Sequence, residues 1–473
     1  MLLDFDATNT SIADADKEPR NAFFSNTAPL VLSAHSLSYK LALNSTFVLN
    51  LTIRGAYHRL RDDRESTDFA IPPDFAAGTG DFVESDFTEF DRNTSDQYIL
   101  SADLKSVVSQ KTVINWGMDV SYDFVSSKRL EQNDAAGTFR TLLPRYPDGS
   151  SLFRTGIFAH LDYQLSERIN LVGGGRYSFI GNYMELEGAD TERGFDPFSR
   201  TFSQLTGIFG VSYRTGQHSK LSLNISNGFR APNVAEFSEL GIRRGNRFQT
   251  PNSDIRPETT SNIDLGYEIS TDVIQAEIAG FWIHYFDKIE AISTGNIVDA
   301  DGNFMRAGTT TSNSTEFIES RNVNANALDI FGLESRIQYR FNRKASVGGT
   351  FNFTWGELTK PNGRKEPGDR IPPANGILYF DLIPVDGISL RPQALYAFTH
   401  RRISTAEKTD NRINPGGTDG FINYQLLTNV DFGGRVSFKV AVDNVLNRTY
   451  REHASTLDGL GRNATVTVKY SMP

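Results

Sequence analysis

Residues 331–341 read FGLESRIQYRF. Apolar side chains occupy every odd position of this segment except Ser335, and charged or amide side chains occupy every even position except Gly332. Because successive side chains of a β-strand point to opposite faces, alternation with a period of two indicates a strand that has one apolar face. The segment therefore predicts a β-strand rather than a helix.

The same alternation recurs from one end of the chain to the other, and no long window shows helical periodicity. Most of these segments are about nine to fourteen residues long, whereas strands of soluble sandwiches average ~5–6 residues and tilted membrane strands need ~9–11. The sequence therefore predicts an all-β protein with about eighteen strands. They start near residues 2, 36, 47, 96, 112, 152, 168, 202, 220, 258, 273, 326, 345, 373, 388, 417, 435 and 462.

The connections between these segments alternate between tight and long. In an up-and-down barrel every second connection lies on the same side, and outer-membrane barrels have short periplasmic turns and long extracellular loops. We therefore expect residues 1–473 to form a single domain, a large antiparallel up-and-down transmembrane β-barrel with lipid outside and a polar lumen. The tight connections are 44–46, 108–111, 166–168, 214–219, 270–272, 341–344, 384–387 and 433–434; the long ones are 58–95, 126–151, 180–201, 230–257, 289–325, 356–372, 401–416 and 446–459.

The composition limits the functional classes. The formal charge of −9 argues against a nucleic-acid partner, which attracts basic surfaces. With no cysteine, the 473-residue chain has no thiolate metal site and no cysteine nucleophile. No stretch approaches the ~20 consecutive apolar residues that a membrane helix needs. The mean hydropathy of −0.37 is nevertheless compatible with a barrel, in which only one side chain in two is apolar. A soluble secreted β-protein that binds carbohydrate stays an alternative.

No catalytic motif and no metal-ligand spacing are present, so we expect neither enzymatic activity nor a cofactor. Long loops on a rigid scaffold are the usual place for binding residues. Two groups of basic side chains in the long connections could hold an anionic small-molecule ligand through charge-assisted hydrogen bonds. They are Arg243, Arg244 and Arg247 in one connection and His400, Arg401 and Arg402 in another. The alternative is that they are solvated loop charges balanced by nearby carboxylates.

Several motifs resemble those of TonB-dependent outer-membrane receptors. Residues 227–233 (NGFRAPN) and 251–259 (PNSDIRPET) are similar to one hallmark region of that family. Residues 443–450 (DNVLNRTY) and 461–463 (GRN) are similar to its closing signature, and 145–150 (RYPDGS) resembles a segment of Bacteroidetes-type members. We expect a structural role for the motif residues, which are Phe229, Arg230, Ala231, Pro232, Pro257, Glu258, Asn444, Asn447, Tyr450 and Arg462.

The resemblance implies an importer in the outer membrane of a Gram-negative bacterium, which takes up a scarce ligand such as a ferric siderophore, haem or cobalamin. Family members have a 22-stranded barrel occluded by an N-terminal plug. This chain would then be the C-terminal barrel portion, with about eighteen strands and no plug or signal segment, as in a gene fragment. Outer-membrane lipid would surround it, and the TonB complex would act only on the full-length parent, through its N-terminal region. The alternative is a plugless passive porin.

Overall fold

The computed structural model describes residues 3–5, 8–11, 22–27, 30–42, 50–70, 83–142, 144, 146–185, 197–243, 247–299, 302–312, 315–324, 327–360, 362–409, 413–455 and 457–470. Within these ranges the chain is almost entirely β. Its two helices have five residues each, α1 (Val234–Ser238) and α2 (Thr405–Thr409).

The strands of the first half are β1 (Leu3–Phe5), β2 (Thr8–Ser11), β3 (Ala22–Thr27), β4 (Leu30–Ala42), β5 (Asn50–Ala70), β6 (Val83–Ser109), β7 (Thr112–Asn133), β8 (Thr138–Leu142), β9 (Ser151–Gln164), β10 (Ile169–Met184), β11 (Phe198–Arg214) and β12 (Ser219–Arg230). Those of the second half are β13 (Gly241–Arg243), β14 (Arg247–Thr250), β15 (Glu258–Ser270), β16 (Ile274–Phe286), β17 (Ile289–Val298), β18 (Phe304–Ala307), β19 (Phe317–Asn324), β20 (Ala327–Asn342), β21 (Ala345–Thr359), β22 (Lys365–Pro367), β23 (Asn375–Val385), β24 (Ile388–Ala397), β25 (Phe421–Phe432), β26 (Val436–Asp443) and β27 (Asn463–Tyr470).

One antiparallel sheet contains 22 of these strands. Four of its positions are each shared by two strands, because both members pair with the same neighbouring strand or strand position. These are β1 with β2, β3 with β4, β8 with β9, and β22 with β23. The sheet therefore has about eighteen strand positions, each beside its neighbour in chain order. This confirms the predicted large up-and-down architecture.

Tight turns join the strands along one side of the sheet, as the sequence predicts. The turn from β25 to β26 contains Gly433 and Gly434 with φ of 63° and 73°, and the turn from β23 to β24 contains Gly387 with φ of 84°. These φ values favour glycine, because it has no Cβ. The tight turn predicted at residues 44–46 lies outside the described residues.

The first long connection differs from the prediction. Most of residues 58–95 continues strands β5 and β6, which have 21 and 27 residues, and β7 has 22. Ion pairs join neighbouring strands here, with Arg59 Nε 2.7 Å from an Asp96 oxygen and Arg129 Nη2 2.5 Å from a Glu89 oxygen. Opposite charges across a ladder stabilise a sheet. The prediction failed because these extensions carry no apolar alternation.

The two faces of the large sheet differ in polarity. On one face, here called the apolar face, Leu205, Leu265 and Ile337 are 67%, 53% and 48% exposed. On the other, the polar face, Arg176 donates to both oxygens of Asp119 at 2.6 and 2.9 Å. Exposed apolar side chains at consecutive outward positions fit contact with lipid and not with water. No helix within the described ranges is long and apolar enough to span a membrane.

Candidate functional site

Two long connections, residues 231–257 and 287–326, fold together at the side of the sheet opposite the tight turns, here called the loop rim. They carry α1 and five short strands that form a second sheet in the order β13-β14-β19-β17-β18. Strands β14 and β19 run parallel and come from different connections, so their pairing joins the two connections directly. Leu240, Phe248, Val298 and Phe317 form its apolar centre and are at most 9% exposed.

Helix α1 packs this connection against the large sheet. Asn233 and Glu236 form a capping box at its first turn, and each side chain bonds the other's backbone N–H. The Phe237 ring is buried and stacks on Phe202 with centroids 6.1 Å apart, in one cluster with Met184. The register of β10 and β11 places Met184 and Phe202 on the polar face. The connection therefore folds inward over the polar face at the loop rim.

The first family motif holds this connection in place. Arg230 Nη1 donates to Glu236 at 2.7 Å, and its Nε donates to Glu258 at 2.8 Å. The Glu258 carboxylate is 7% exposed and also accepts the backbone N–H of Ile289 at 2.7 Å. Arg230 thus connects the end of β12, the start of α1 and the start of β15.

The remaining residues of that motif lie where the β12–β15 ladder ends. Arg230 and Glu258 form the last paired position, and Phe229 lies one position inside it. Ala231 and Pro257 lie immediately outside the ladder, where the missing N–H of a proline costs no ladder bond. Pro232, which follows Ala231 in the chain, is fully buried.

The second family motif folds the last long connection. Asn444 is 2% exposed; its Oδ1 accepts the Arg448 N–H at 2.9 Å and its Nδ2 donates to the carbonyl oxygens of Arg448 and Leu460 at 2.7 and 3.0 Å. Asn447 Oδ1 accepts the Arg462 N–H at 2.8 Å. Both asparagines have a left-handed backbone with φ of 49° and 50°, which asparagine tolerates better than most residues.

Tyr450, the last residue of the second motif's first segment, packs its ring against Phe421 in β25, with the ring centroids 4.7 Å apart. Its carbonyl oxygen accepts the N–H of Gly459 at 2.7 Å. A Cβ on Gly459 would overlap the tyrosine ring. The contacts of this motif are therefore internal to the connection and to β25.

The structure describes only part of the first predicted ligand-binding group, Arg243, Arg244 and Arg247. Arg244 lies outside the described residues, and only the backbone of Arg243 is described, as the last residue of β13. Arg247 opens β14 and is exposed. The Cα atoms of Arg243 and Arg247 are direct partners in the β13–β14 ladder. The binding role of this group stays a prediction.

The second predicted group is brought together at the loop rim, but each member has its own surroundings. Arg401 is exposed and bonds the Gly416 carbonyl at 3.0 Å and the Asp419 carboxylate. Arg402 bonds the Gly356 carbonyl at 2.5 Å and lies 3.6 Å over the Trp355 ring. The His400 backbone pairs with Thr418 in an isolated bridge, and its half-buried side chain points into a cluster of loop residues. Whether they bind a ligand stays a prediction.

That cluster was not anticipated from the sequence, where the histidines have no regular spacing. His453 Nδ1 lies 2.8 Å from Thr418 Oγ1, and its Nε2 lies 3.0 Å from Glu407. Glu407 is 1% exposed and also accepts the backbone N–H groups of Ser404 and Arg370 at 2.6 and 3.1 Å. Three long connections, residues 356–374, 398–420 and 444–462, therefore meet at one buried carboxylate.

His400 packs edge-on against His453, with ring centroids 5.0 Å apart. Burial lowers the pKa of His400 below its ordinary value of 6.5; His453 and Arg402 lower it further, and Glu407 acts in the opposite direction. Its Nε2 is buried without a hydrogen-bond partner among the described residues. Within those residues, no group of three or more His, Asp or Glu side chains is arranged to hold a metal ion.

Known proteins resemble this chain in sequence and in fold. The profile of the family described as "TonB dependent receptor-like, beta-barrel" matches residues 3–445. The probable TonB-dependent siderophore receptor PirA of Acinetobacter baumannii is 23% identical in a match of length 308 that covers 59% of this chain. The chain spans only 40% of the length of that relative.

Solved structures share the fold. The copper transporter OprC superposes with a TM-score of 0.75 at 14% identity, over 96% of this chain and 67% of its own. The ferric yersiniabactin uptake receptor FyuA from Yersinia pestis gives 0.58 at 15% identity, over 97% of this chain and 61% of its own. The about eighteen antiparallel strand positions in chain order, the apolar face and the first rim motif lie within the region that the profile matches, apart from the last strand. The chain belongs to the TonB-dependent receptor family, whose members are outer-membrane β-barrel receptors and transporters of Gram-negative bacteria and not enzymes.

Proposed function

We propose that this chain is the barrel portion of an importer for a scarce small-molecule ligand, with a ferric siderophore ahead of haem and cobalamin. The observation that carries the proposal is the sequence match to a probable siderophore receptor, which covers 59% of this chain. Energy would come from the TonB complex, acting on the full-length parent. The family match does not favour the alternative of a passive porin.

The loop rim supports the proposal physically. The second sheet and α1 are packed, capped and hydrogen-bonded, so they present exposed side chains from a rigid base, as binding loops require. Arg247 lies at the exposed start of β14, and the Cα of Arg243 is its direct partner. Ferric siderophores commonly carry negative charge, which guanidinium groups bind through charge-assisted hydrogen bonds.

The test is equilibrium binding to the full 473-residue chain refolded in detergent. Ferric catecholate and ferric hydroxamate siderophores, haem and cyanocobalamin are each titrated while tryptophan fluorescence is followed. We expect saturable binding of one ferric siderophore class, weakened about tenfold by Arg247→Ala because one charged hydrogen bond is lost. Arg435→Ala, beside the tight turn between β25 and β26, is the matched control and should bind normally.

The porin alternative predicts a different set of results. A porin would give a large steady conductance in planar bilayers and no saturable binding of any of the four ligands. Saturable binding of haem or cobalamin alone would contradict the siderophore assignment but keep the importer. Equal effects of Arg247→Ala and Arg435→Ala would contradict the placement of the ligand at β14.

A further inference from the structure

The chain contains three asparagine–glycine pairs, and the fold places them in different surroundings. In such a pair the backbone nitrogen of the glycine can attack the side-chain amide of the asparagine, because glycine has no Cβ that shields the approach. The local chemistry is the same in all three pairs, so a difference in reactivity must come from the structure around them. The pairs are Asn227-Gly228, Asn362-Gly363 and Asn375-Gly376.

The pair near the end of β12 is held by the strands on both sides. Asn227 and Gly228 both have ladder partners in β15. The Asn227 amide bonds the other neighbour, β11: its Oδ1 accepts the Gly207 N–H at 2.7 Å, and its Nδ2 donates to the Leu205 carbonyl at 3.4 Å. An attack within this pair would first have to break these bonds and part of the ladder.

The pair that opens β23 is enclosed as well. Asn375 and Gly376 have ladder partners in both β21 and β24. Asn375 Oδ1 accepts from Asn352 Nδ2 at 3.2 Å, and its own Nδ2 donates to the Pro373 carbonyl at 2.9 Å. The Thr350 carbonyl oxygen fills the space beside the Gly376 Cα. This pair is therefore also locked in place.

The third pair forms the exposed tip of the turn between β21 and β22, at the loop rim. The last ladder partners before the turn are Thr359 and Lys365. Asn362 and Gly363 lie beyond them, and both are exposed. Gly363 has a φ of 77°, and no described residue except its chain neighbours comes within 4 Å of the position that a Cβ would take there. The Gly363 nitrogen is therefore open to the Asn362 side chain.

The contacts of this turn favour the attack. Asn362 Oδ1 accepts the Arg364 N–H at 3.0 Å, which draws electrons from the amide carbon Cγ. The Gly363 N–H donates to the Lys360 carbonyl at 2.8 Å, a bond that must open first. Exposed turns open at a low free energy. The cationic side chains of Lys360 and Arg364 also stabilise the negative charge of a nitrogen that has lost its proton.

We propose that Asn362 is a site of spontaneous deamidation at the loop rim. The deprotonated Gly363 nitrogen forms a bond to Asn362 Cγ, the bond from Cγ to Nδ2 breaks, and Nδ2 leaves as ammonia with a proton taken from water. A water molecule then opens the five-membered imide at either carbonyl, which leaves an aspartate or an isoaspartate. Water is the one co-reactant that the two steps need.

The product changes the charge of the rim. Arg364 lies 3.5 Å from Glu366 and its side chain is 64% exposed, so it can also pair with a new carboxylate at residue 362. That carboxylate cancels the net positive charge of the hairpin. The hairpin has three cations against two carboxylates, namely Lys360, Arg364 and Lys365 against Glu357 and Glu366. The change does not depend on the ligand that is transported.

The test follows the full chain in detergent during incubation at constant temperature and pH. Peptide mapping by mass spectrometry measures the conversion of each asparagine to its acid. We expect Asn362 to react at least about thirtyfold faster than Asn227 and Asn375, because several hydrogen bonds protect each of those two. In denaturant the three should react at similar rates. An advantage of less than about threefold in the folded chain, or one that persists undiminished in denaturant, overturns the proposal.

The route is tested by variants and by the products. Gly363→Ala should slow the reaction of Asn362 at least about tenfold, because a Cβ shields the nitrogen. Gly433→Ala is the matched control: Gly433 has a φ of 63° in a tight turn with equally open surroundings, and its change should leave the rate at Asn362 unaltered. Isoaspartate, detected by enzymatic carboxyl methylation, should accompany aspartate. Equal rates in both glycine variants, or aspartate without isoaspartate, contradicts the imide route.

Discussion

Replacing Glu407 by glutamine should loosen the loop rim without unfolding the sheet. Its carboxylate is 1% exposed and lies within hydrogen-bonding distance of three groups: the Ser404 N–H on one oxygen, and the Arg370 N–H and His453 Nε2 on the other. A glutamine has a single acceptor oxygen, so its NH2 group must face one of these N–H donors. The best orientation keeps the oxygen toward Arg370 and His453 and turns the NH2 toward Ser404.

The cost follows from those contacts. A hydrogen bond to a charged group contributes ~1.5–3 kcal/mol, and a buried donor left without an acceptor costs a further ~1–3 kcal/mol. A local loss of about 3 kcal/mol corresponds to an increase of somewhat more than a hundredfold in the population of the opened loops. The strands keep their ladders, because Glu407 contacts none of them in the described residues.

Amide hydrogen exchange measures this opening directly. Peptides that cover residues 368–372 and 402–408 should exchange about a hundredfold faster in Glu407→Gln than in the unmodified chain. Peptides from β25 should exchange at the original rate. Glu452→Gln, an exposed change in the same connection as His453, is the control. Exchange that changes by less than threefold, or that rises equally in the control, would show that the carboxylate does not hold the three connections together.

Three other outcomes are expected. Because the folded-state pKa of His400 lies below 6.5, the loops bind fewer protons folded than open, and their stability is full above about pH 6.5 and falls as the pH drops below it. The protection of amides near Thr418, expressed relative to their intrinsic exchange rate at each pH, should therefore fall between pH 7 and 5.5, and His400→Gln should remove most of this dependence. Gly459→Ala should displace the Tyr450 ring and lower the stability of the last connection by ~1–3 kcal/mol, seen as faster proteolysis of residues 444–462. Asn444→Ala removes three hydrogen bonds of a buried amide and should cost ~2–4 kcal/mol in the same assay, whereas the exposed change Asn414→Ala should leave it unchanged.

The large sheet could be predicted because lipid imposes a simple rule on its sequence. A strand that crosses hydrocarbon needs mostly apolar side chains at alternate positions, and residues 331–341 follow that rule with Ser335 as the one polar residue on the apolar face. Strand segments that extend beyond the hydrocarbon do not need this alternation of apolar side chains. The extensions of β5, β6 and β7 are held by pairs such as Arg59 with Asp96, and a pattern of mixed charges does not distinguish a paired strand from a loop.

The loop rim was less predictable, because its contacts join residues far apart in the chain. Arg230 bonds Glu236 six residues away and Glu258 twenty-eight residues away. The His453 contact with Glu407 spans forty-six residues. Motif resemblance located Arg230, Glu258 and Asn444 without showing what they contact. No spacing in the sequence indicates the His453 contact, since it forms only after three connections have folded onto one another.

The ion pairs of the loop rim bear on how a negatively charged ligand would be recognised. Arg401 and Arg402 already lie beside carboxylates, so a negatively charged ligand that binds one of them must compete with that carboxylate. An exposed pair contributes only ~0–1 kcal/mol, and Arg401 with Asp419 is such a pair, with side chains 55% and 83% exposed. Arg402 is more enclosed and stacks on Trp355, so moving it also breaks a cation–π contact. If these residues bind a ligand, we expect Arg401 to exchange its carboxylate partner for it and Arg402 to keep its contacts with Trp355 and the Gly356 carbonyl.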